Sequence, residues 1–418
     1  MQSPNIADAE WFRRSETQSV FHCLNRDGFE VRIAGGAIRN ALLGRPVFEV
    51  DFATTATPLD TIRLAADAGV KSVPTGIQHG TITLVVNKTA FEVTTLRRDI
   101  ETDGRHATVV FGTDWKEDAL RRDFTINAFF ADRSGAVHDP LGGLPDLEAG
   151  RVRFIGDAQL RIREDYLRIL RFFRFSAEYA QGGFDEEGVL ASIRERHGLE
   201  RLSKERIRAE LLRIVIARRA SAAIEIMDET GLLALLLGGV ARRARFERLR
   251  SMEDALSLPL SPVRRLGALA LFVEEDAERL ADRFRLSSEE STLLYALAAH
   301  SPKIEDRIGR DVLERFLYRF GKNLMLDRVL LAWASLPSCP HRIVDVNLVR
   351  WILDWEKPHF PVTGSDLISL GWTPGPKVGE KLRELEAFWI EQNFRPSREA
   401  LLQRIDTAGG VTARAPSR

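Results

Sequence analysis

The sequence predicts an α+β protein in which an amino-terminal unit of strands and helices precedes a longer, all-helical part. Between Phe29 and Asp132, short β-rich runs alternate with helical patterns. After Gly156 the strand patterns end, and helical patterns follow one another to Gln403. The turn residues of Asp139–Gly143 close the first unit near residue 150.

Composition narrows the class of protein. The chain has 418 residues, 44% of them hydrophobic, which is enough for several packed domains. Its 60 Lys and Arg balance 60 Asp and Glu, so a polyanionic partner must be bound by a local basic patch. Cys23 and Cys339 form no metal-ligand pattern and predict buried thiols in a reducing compartment. Because Met1–Ser15 has no apolar core and the longest apolar run, Gly231–Ala241, is too short to span a bilayer, we expect a soluble, cytoplasmic protein.

The elements of the first unit follow from periodicity and turn residues. The segment Arg97–Gly112 is polar and aperiodic, so we predict a mobile loop there. The other predicted elements are, in order, a helix over Ala7–Asn25, a strand over Phe29–Ala34, a helix over Ala37–Leu43 ending at Gly44, a short strand carrying Glu49 and Asp51, a helix over Asp60–Ala68, a hairpin of Thr81–Asn87 and Ala90–Leu96, a helix over Asp114–Arg121 and a strand over Asn127–Asp132.

The second part is predicted to be helical throughout. The first predicted helices are Glu164–Tyr179, Glu186–Arg196, Ser203–Arg218 and Ala220–Thr230. The last residues, Gly409–Arg418, are expected to be disordered.

A glycine pair, Gly35-Gly36, joins a predicted strand to a predicted helix. Without a Cβ the backbone can approach a phosphate closely, and the N–H groups that open a helix suit an anion. The alternative is an ordinary turn. The chain has no G-x-x-x-x-G-K-[ST] motif and therefore no P-loop.

Glu49 and Asp51 lie two residues apart on a predicted strand, so their carboxylates project from one face. Like charges held that close favour a cation between them, and Mg²⁺ binds carboxylate oxygens together with substrate phosphates. Glu92, on a strand that could lie beside them, would add a carboxylate near the metal or an attacking hydroxyl. The alternatives are a solvated strand face for the pair and an outward position for Glu92. Together with the glycine pair, the pattern favours nucleotidyl or phosphoryl transfer.

Two further motifs carry arginine beside aspartate. In Arg121-Arg122-Asp123 the forked donors of arginine suit a triphosphate, and the alternative is a helix end whose basic residues complement the dipole. Asp165 and Arg168, three residues apart on a predicted helix, could hydrogen-bond the edge of a nucleobase without a template strand. The alternative for this pair is a surface ion pair.

Basic residues concentrate in two segments. Residues 191–220 hold nine Lys and Arg against four Glu, and residues 241–250 hold five Arg against one Glu. These segments are either solvated helix faces or patches that bind an RNA backbone through its phosphates. Lys204, Arg206 and Arg208 are the candidates in the first segment.

Taken in order, these motifs resemble the bacterial class II tRNA nucleotidyltransferase and poly(A) polymerase family over residues 29–215. The motifs are Gly-Gly-Ala-Ile-Arg at 35–39, Glu-Val-Asp-Phe-Ala-Thr at 49–54, the segment from Arg97-Arg98-Asp99 to Asp103-Gly104-Arg105, Arg-Arg-Asp-Phe-Thr-Ile-Asn-Ala at 121–128, Asp-Pro-Leu-Gly-Gly at 139–143 and Glu-Asp-Tyr-Leu-Arg at 164–168. The resemblance implies a nucleotidyltransferase-like head with a mixed sheet over 1–155. It also implies a helical neck with a nucleobase-selecting helix over 156–230, and a helical, tRNA-binding body and tail over 231–418.

The resemblance further implies template-independent addition of CCA to tRNA 3′ ends from CTP and ATP, by two Mg²⁺ ions and with release of pyrophosphate. From the sequence we expect no membrane association, and no obligate protein partner is evident. Carried over by position, Glu49 and Asp51 would hold the metal, with Glu92 beside them, and the segment of Asp99, Asp103 and Arg105 would serve the switch from C to A addition. The nucleotide-binding residues it implies are Gly35, Gly36, Arg39, Arg122, Asp123, Asn127, Asp165, Arg168, Arg171 and Arg174.

The sequence departs from the family at two positions. The family's metal pair is Asp-x-Asp, whereas Glu49, one methylene longer, stands first here, and Asn40 replaces a common Asp. Two other functions stay open: a poly(A) polymerase on the same scaffold, disfavoured by the short tail, and an RNA-binding protein whose catalysis has been weakened at Glu49. We find no His-Asp motif of an appended phosphohydrolase domain, so no associated hydrolase activity is expected.

Overall fold

The computed structural model describes residues 4–103, 106–299, 309–336 and 345–405, and no side chain within 99–103 or 106–109. The strands are β1 Val31–Ala34, β2 Asp51–Thr54, β3 Lys71–Gly76, β4 Thr81–Val86, β5 Thr89–Thr95, β6 Arg97–Asp103, β7 His106–Phe111, β8 Phe130–Ala131 and β9 Val137–His138. The helices of the first half are α1 Glu10–Arg13, α2 Ser15–Leu24, α3 Gly36–Leu42, α4 Pro58–Asp67, α5 Trp115–Leu120, α6 Leu144–Glu148, α7 Ala158–Glu164, α8 Leu167–Tyr179, α9 Glu186–Arg194 and α10 Lys204–Ile216. Those of the second half are α11 Ala220–Glu229, α12 Leu232–Leu237, α13 Arg243–Ala255, α14 Pro262–Ala270, α15 Glu275–Phe284, α16 Ser288–Ala298, α17 Arg310–Phe320, α18 Lys322–Ser335, α19 Val346–Asp354, α20 Gly364–Ser369, α21 Pro376–Glu391 and α22 Arg398–Gln403.

Within the described residues, seven strands form one mixed sheet in the order β3-β4-β5-β2-β1-β8-β9. Strands β2 and β5 run parallel, and their neighbours β1 and β4 are antiparallel to them. The end of β1 therefore lies beside the start of β2, which lies beside the middle of β5. The α+β fold with a mixed sheet is confirmed.

Helices α4 and α5 begin at capped positions. The hydroxyl of Thr57 accepts a hydrogen bond from the backbone N–H of Asp60 at 3.2 Å, and Pro58 occupies the first turn. The carboxylate of Asp114 accepts from the N–H of Lys116 at 2.7 Å. A cap of this kind stabilises a helix by about 1 kcal/mol. These caps fix where α4 and α5 start against the sheet.

The predicted hairpin of β4 and β5 is confirmed, but its turn lies at Asn87-Lys88, where both residues have positive φ (48° and 71°). The predicted loop over Arg97–Gly112 is wrong, because β6 and β7 pair antiparallel across that segment. The β-rich run of Val109, Val110 and Phe111 forms the second strand of this pair, although the preceding residues are polar.

Four other predicted elements are wrong in extent. The helix over Ala7–Asn25 is interrupted at Arg14, whose ψ of 137° is extended, and residues 125–127 form a 3₁₀ turn before the two-residue strand β8. Strand β2 begins at Asp51, so Glu49 lies in the segment that precedes the strand. The helix over Glu164–Tyr179 is broken at Asp165, whose φ of −154° and ψ of 106° are extended.

The break at Asp165 has a local cause. Its carboxylate accepts a hydrogen bond from the backbone N–H of Leu167 at 3.1 Å, so the side chain competes with the helix for a backbone donor. Asp165 and Arg168 therefore do not share a face of one helix, and a junction between α7 and α8 brings them together.

Beyond residue 156 the predicted helices are confirmed as α9, α10 and α11, and helices continue through the rest of the described chain. The chain forms two compact units, Met1–Ala241 with Asp282–Leu286, and Arg242–Ala281 with Ser287–Arg418. The division into head, neck and body stays a prediction. No helix among the described residues is long and apolar enough to cross a bilayer. Cys23 is buried, which raises the pKa of its thiol, while Cys339 and the tail Gly409–Arg418 lie outside the described residues.

The sheet packs under the site through small residues. Ala34 of β1, Ala53 of β2 and Ala119 of α5 belong to one buried cluster with Leu96 and Phe130. Their small side chains let α5 approach the sheet closely, and this approach brings the carboxyl end of α5 to the end of β1.

Candidate active site

An open cavity of about 600 Å³ lies within the first unit, at the end of β1. The residues lining it come from β1, α3, β2, β5, α8 and α10 and from segments between the elements, including the one that follows α5. They are Ala34, Gly35, Gly36, Arg39, Glu49, Asp51, Phe52, Ala53, Glu92, Thr94, Arg121, Arg122, Asp123, Asn127, Asp165, Leu167, Arg168, Arg171, Arg174, Phe175 and Arg206.

Strand register places the carboxylates beside the glycine pair. Asp51 pairs with Ala34, the residue before Gly35, in the antiparallel ladder of β1 and β2. In the parallel ladder Phe52 pairs with Val93, so Asp51 and Glu92, one residue earlier on each strand, lie side by side. Glu92 therefore lines the same cavity as Asp51.

Asp51 lies close to other negative charges in a partly desolvated site. Desolvation in the concave site, followed by the negative charges of Glu92 and Glu49, raises the pKa of Asp51 to about 6, although Arg122 acts in the opposite direction. Acidic groups that raise one another's pKa favour a cation at the same place. The charge and the oxygen donors of this site fit a hard divalent ion.

The described residues contain no group of three or more acidic, histidine or cysteine side chains close enough to enclose a metal ion. A pair of carboxylates, Glu49 and Asp51, leaves coordination positions for water and for substrate oxygens. This is how Mg²⁺ is usually bound beside phosphates, because it keeps several waters and takes one or two carboxylates.

Both the backbone conformation and the close neighbours of residue 35 favour glycine at this position. Its φ is +67°, and a Cβ at this position would lie 3.0 Å from a guanidinium nitrogen of Arg122 and 3.3 Å from the carbonyl oxygen of Asn127. The expectation that its N–H is free for an anion is wrong, because this N–H donates to the carbonyl of Phe129 at 2.9 Å. Gly35 acts by admitting Arg122 to the cavity.

Arg39 is buried in the floor of the cavity with neutral partners. Its guanidinium donates to the side chains of Asn127, Asn40 (3.0 Å) and the hydroxyl of Tyr179 (2.7 Å), and it lies 4.1 Å from the Tyr179 ring centre. Burial lowers the pKa of Arg39, but a guanidinium stays charged in proteins. Its positive charge is therefore left to act on an anionic ligand.

Arg121 and Arg122 share one buried counter-ion. Asp118, whose side chain is 1% exposed, accepts from Arg121 at 2.7 Å and from Arg122 at 3.1 Å. Burial alone would raise the pKa of Asp118, but the two arginines outweigh burial and hold that pKa below its ordinary value. The Nε of Arg122 has no hydrogen-bond partner within the described residues. The two arginines are thus positioned from α5, and together they exceed the charge of Asp118.

Asp123 lies deep in the cavity and organises the next helix. It accepts from Arg171 at 2.6 Å and from the amide of Asn127 at 2.9 Å. Burial would raise its pKa, but Arg171, Asn127 and Arg168 hold the pKa of Asp123 below its usual value. Asp123 therefore stays an acceptor and fixes Arg171 of α8 against the loop after α5.

The two residues of the predicted base-reading pair are held by different partners. Asp165 accepts from Arg206 of α10 at 2.6 Å. Arg168 donates to Glu164 at 2.6 Å and to backbone carbonyl oxygens of Arg161 and Arg121. A carboxylate acceptor and a guanidinium donor therefore line one cavity in fixed orientations.

All thirteen residues that the sequence analysis assigned to catalysis and nucleotide binding line this cavity. Arg206, predicted to bind RNA, lines it as well. Lys204 and Arg208 do not, and they donate to the backbone carbonyls of Asp282 (2.9 Å) and Arg285 (2.7 Å). Of the predicted flexible-loop residues, Asp99 and Asp103 lie on β6, and Arg105 falls outside the described residues.

Sequence reasoning missed the supporting residues. Asp118 could have been found, since it precedes Arg121 and Arg122 by three and four residues on one helix. Tyr179 and Glu210 could not, because their contacts with Arg39 and with Arg174 (2.5 Å) join residues 140 and 36 positions apart.

Two family models match the chain. Residues 31–153 match the model described as the poly A polymerase head domain, and residues 185–242 match the probable RNA and SrmB-binding site of polymerase A.

Curated relatives match over nearly the whole chain. The mitochondrial CCA tRNA nucleotidyltransferase 1 of Danio rerio is 36% identical over 392 residues, which cover 91% of this chain and 88% of the relative. The CCA-adding enzyme of Streptococcus sanguinis is 32% identical, covering 94% of this chain and 96% of the relative.

Solved structures share the fold. The CCA-adding enzyme of Bacillus stearothermophilus in complex with CTP is 26% identical, with a TM-score of 0.63 over 90% of this chain and 92% of that one. The Thermotoga maritima CCA-adding enzyme complexed with tRNA-CCA is 20% identical, with a TM-score of 0.65 over 96% of this chain and 98% of that one.

Proposed function

This chain belongs to the class II CCA-adding tRNA nucleotidyltransferase family, and on that premise we propose that it adds CCA to the 3′ end of tRNA from CTP and ATP, without a template. One observation carries the proposal. A single cavity holds the crowded carboxylate of Asp51, the glycine that admits Arg122, and the Asp165–Arg168 pair, which would take the role of a template base.

The arginines would bind the triphosphate. Among the described residues, Arg39 donates hydrogen bonds only to neutral groups, and Arg122 shares the single charge of Asp118 with Arg121. Both guanidinium groups therefore keep positive charge for phosphate oxygens. Gly35 and Gly36 have no side chains, so a phosphate could approach the backbone closely beside these arginines. Asp123, Asn127, Arg171 and Arg174 complete the nucleotide site as contacts or as supports.

Asp165 and Arg168 would select the base. Cytosine and adenine each carry an exocyclic amino group at the position where uracil and guanine carry a carbonyl oxygen. A carboxylate accepts from the amino group and repels the carbonyl, while the guanidinium donates to the neighbouring acceptor of either accepted base. Arg206 fixes the Asp165 carboxylate and so helps to set the orientation in which it reads the base.

Glu49 and Asp51 would hold Mg²⁺, which when bound supplies positive charge at the attacking oxygen and at the triphosphate. In the transfer, the tRNA 3′-oxygen bonds to the α-phosphorus while the bond to the bridging oxygen breaks. Pyrophosphate leaves with that electron pair. Glu92, beside Asp51, is placed to take the proton of the hydroxyl. Residue 49 precedes the strand instead of lying on it, which would leave room for the longer side chain of Glu49.

Lys204, Arg208 and the arginines of residues 241–250 would contact the tRNA backbone, and the segment of Asp99, Asp103 and Arg105 would serve the change from C to A addition. A cytoplasmic location stays a prediction, since the relatives include mitochondrial enzymes.

Product length on a gel tests the function. Transcripts of tRNA ending before CCA, after C and after CC are incubated with Mg²⁺ and CTP, ATP or both. The proposal expects extension to CCA and no further. Long A tracts would show the poly(A) polymerase instead, and binding without extension would show an RNA-binding protein.

A further inference from the structure

A second cavity, of about 530 Å³, adjoins the candidate active site in the same unit. The carboxylates Glu49, Asp51 and Glu92 line both cavities and form their shared boundary. The other walls of the second cavity come from Trp11 and Arg14 near the chain start, from the segment around Phe48, and from β4 and β5.

Phe48 is the unusual member of this lining. It is 90% exposed, the most exposed of the large hydrophobic residues in the described part of the chain, and it directly precedes Glu49. An apolar ring held in water beside a catalytic carboxylate offers a flat surface for a ligand. Trp11, partly buried, adds a second aromatic side chain to the same cavity.

We propose that this second cavity binds the 3′-terminal nucleoside of the RNA being extended, with its base against Phe48 and Trp11 and its ribose hydroxyls at the shared carboxylates. The inference rests on the proposed function. It adds the place of the acceptor strand, which the nucleotide-binding residues leave undetermined.

Reaction geometry leads to this placement. Attacking and leaving oxygens lie roughly in line across the transferred phosphorus, so the acceptor hydroxyl must reach the α-phosphate from the side opposite the pyrophosphate. The incoming nucleotide fills the first cavity up to the carboxylates. A hydroxyl that meets the same carboxylates from the second cavity satisfies the in-line requirement.

The chemistry of the lining fits a nucleoside better than a phosphate. Glu16 and the three shared carboxylates repel anions but accept hydrogen bonds from ribose hydroxyls. Arg14, whose side chain is 60% exposed, lies at this cavity and can meet the phosphate on the 5′ side of the nucleoside.

Stacking also fits an acceptor whose 3′-terminal base is not the same in every cycle. The 3′-terminal base differs between a tRNA that lacks CCA and one that ends in C. Every base has a flat face, so an aromatic wall accepts all of them without reading their edges.

Steady-state kinetics test the inference on full-length protein. With tRNA lacking CCA as acceptor, Phe48→Ala should raise KM for tRNA about tenfold, the loss of one base–aromatic stack, and leave KM for CTP unchanged. Phe48→Trp should retain the wild-type KM for tRNA. Leu59→Ala, a matched control at a residue 73% exposed and outside both cavities, should change neither constant. An unchanged KM for tRNA in Phe48→Ala, with normal CCA addition by the wild type, would overturn the inference alone.

A crosslink locates the nucleoside without turnover. A tRNA ending in 5-iodocytidine is irradiated with the protein in the absence of nucleotides, and the modified peptide is sequenced by mass spectrometry. Attachment to Phe48 or Trp11 is expected, and attachment only elsewhere would contradict the placement. Failure of the wild type to extend any tRNA would instead contradict the proposed function, whatever the crosslink shows.

Discussion

A Cβ at position 35 would lie 3.0 Å from a guanidinium nitrogen of Arg122, so the absence of a side chain at Gly35 allows the arginine to occupy its observed position. Gly35 also has a φ of +67°, in the left-handed region that other residues rarely adopt. The two constraints act at one position. The glycine therefore couples the end of β1 to the nucleotide site.

Gly35→Ala should lower kcat/KM for CTP by about tenfold or more, because Arg122 must move away from its position over the cavity. Gly28→Ala is the matched control, since Gly28 has a φ of +81° but a Cβ there would meet no neighbouring atom within 4 Å. Both variants should lose about 1–2 kcal/mol of stability to backbone strain, measured by urea unfolding. Equal kinetic losses in the two variants would show that strain alone matters.

Asp51→Asn should stabilise the metal-free protein more at pH 7.5 than at pH 4.5. The pKa of Asp51 is about 6 in the folded chain, above the ordinary value of 3.8, so the folded state favours the protonated form. The stability that this group contributes is present at low pH and is lost as pH rises through about 6. Asparagine cannot ionise and avoids the loss.

Thermal unfolding with chelator at both pH values checks this, with Asp67→Asn, an exposed partner of Arg63, as control. Added Mg²⁺ should raise Tm of the wild type at pH 7.5 and not that of Asp51→Asn. A larger stabilisation at pH 4.5 would contradict the assignment.

Asp118→Ala should destabilise the protein by about 3–5 kcal/mol, because it leaves Arg121 and Arg122 without their shared buried counter-ion. Asp67→Ala, which removes an exposed partner of Arg63, should cost at most about 1 kcal/mol. Chemical denaturation measures both. Similar small losses in the two variants would mean that Asp118 does not organise the arginines.

Arg206→Ala should raise KM for both CTP and ATP, and it should increase misincorporation of UTP and GTP, because Asp165 loses the partner that orients its carboxylate. Lys204→Ala and Arg208→Ala lie on the same helix outside the cavity and should leave both nucleotide constants unchanged. Filter binding of tRNA should weaken in the latter two. Weaker tRNA binding by Arg206→Ala, with unchanged KM for CTP and ATP, would indicate that Arg206 binds RNA instead of orienting Asp165.

The sequence was sufficient to identify the candidate site residues, but it did not show how they are arranged in space. The glycine pair, the carboxylates and the arginine motifs are local patterns whose chemistry can be recognised from residue type and spacing. The joining of Asp51 to Gly35 and Glu92 depends on strand register, which pairs residues far apart in the chain.

Local side-chain contacts explain why one predicted helix breaks and why three neighbouring basic residues lie in different surroundings. A helical pattern across 164–179 conceals the hydrogen bond from the Leu167 N–H to Asp165 that breaks the helix. The basic run at 204–208 looks uniform in sequence, yet Arg206 turns to Asp165 while its neighbours bind backbone carbonyls. In both cases a side-chain contact decides the outcome, and spacing alone does not encode it.

The central claim is that Asp51 anchors a divalent ion beside the nucleotide, and CMP incorporation tests it most directly. Purified wild type and Asp51→Ala are incubated with tRNA lacking CCA, radiolabelled CTP and a Mg²⁺ titration, after a cooperative thermal transition in each establishes that both are folded. Mg²⁺-dependent incorporation by the wild type and none above background by Asp51→Ala is the predicted result. Comparable incorporation by the two proteins would contradict the account.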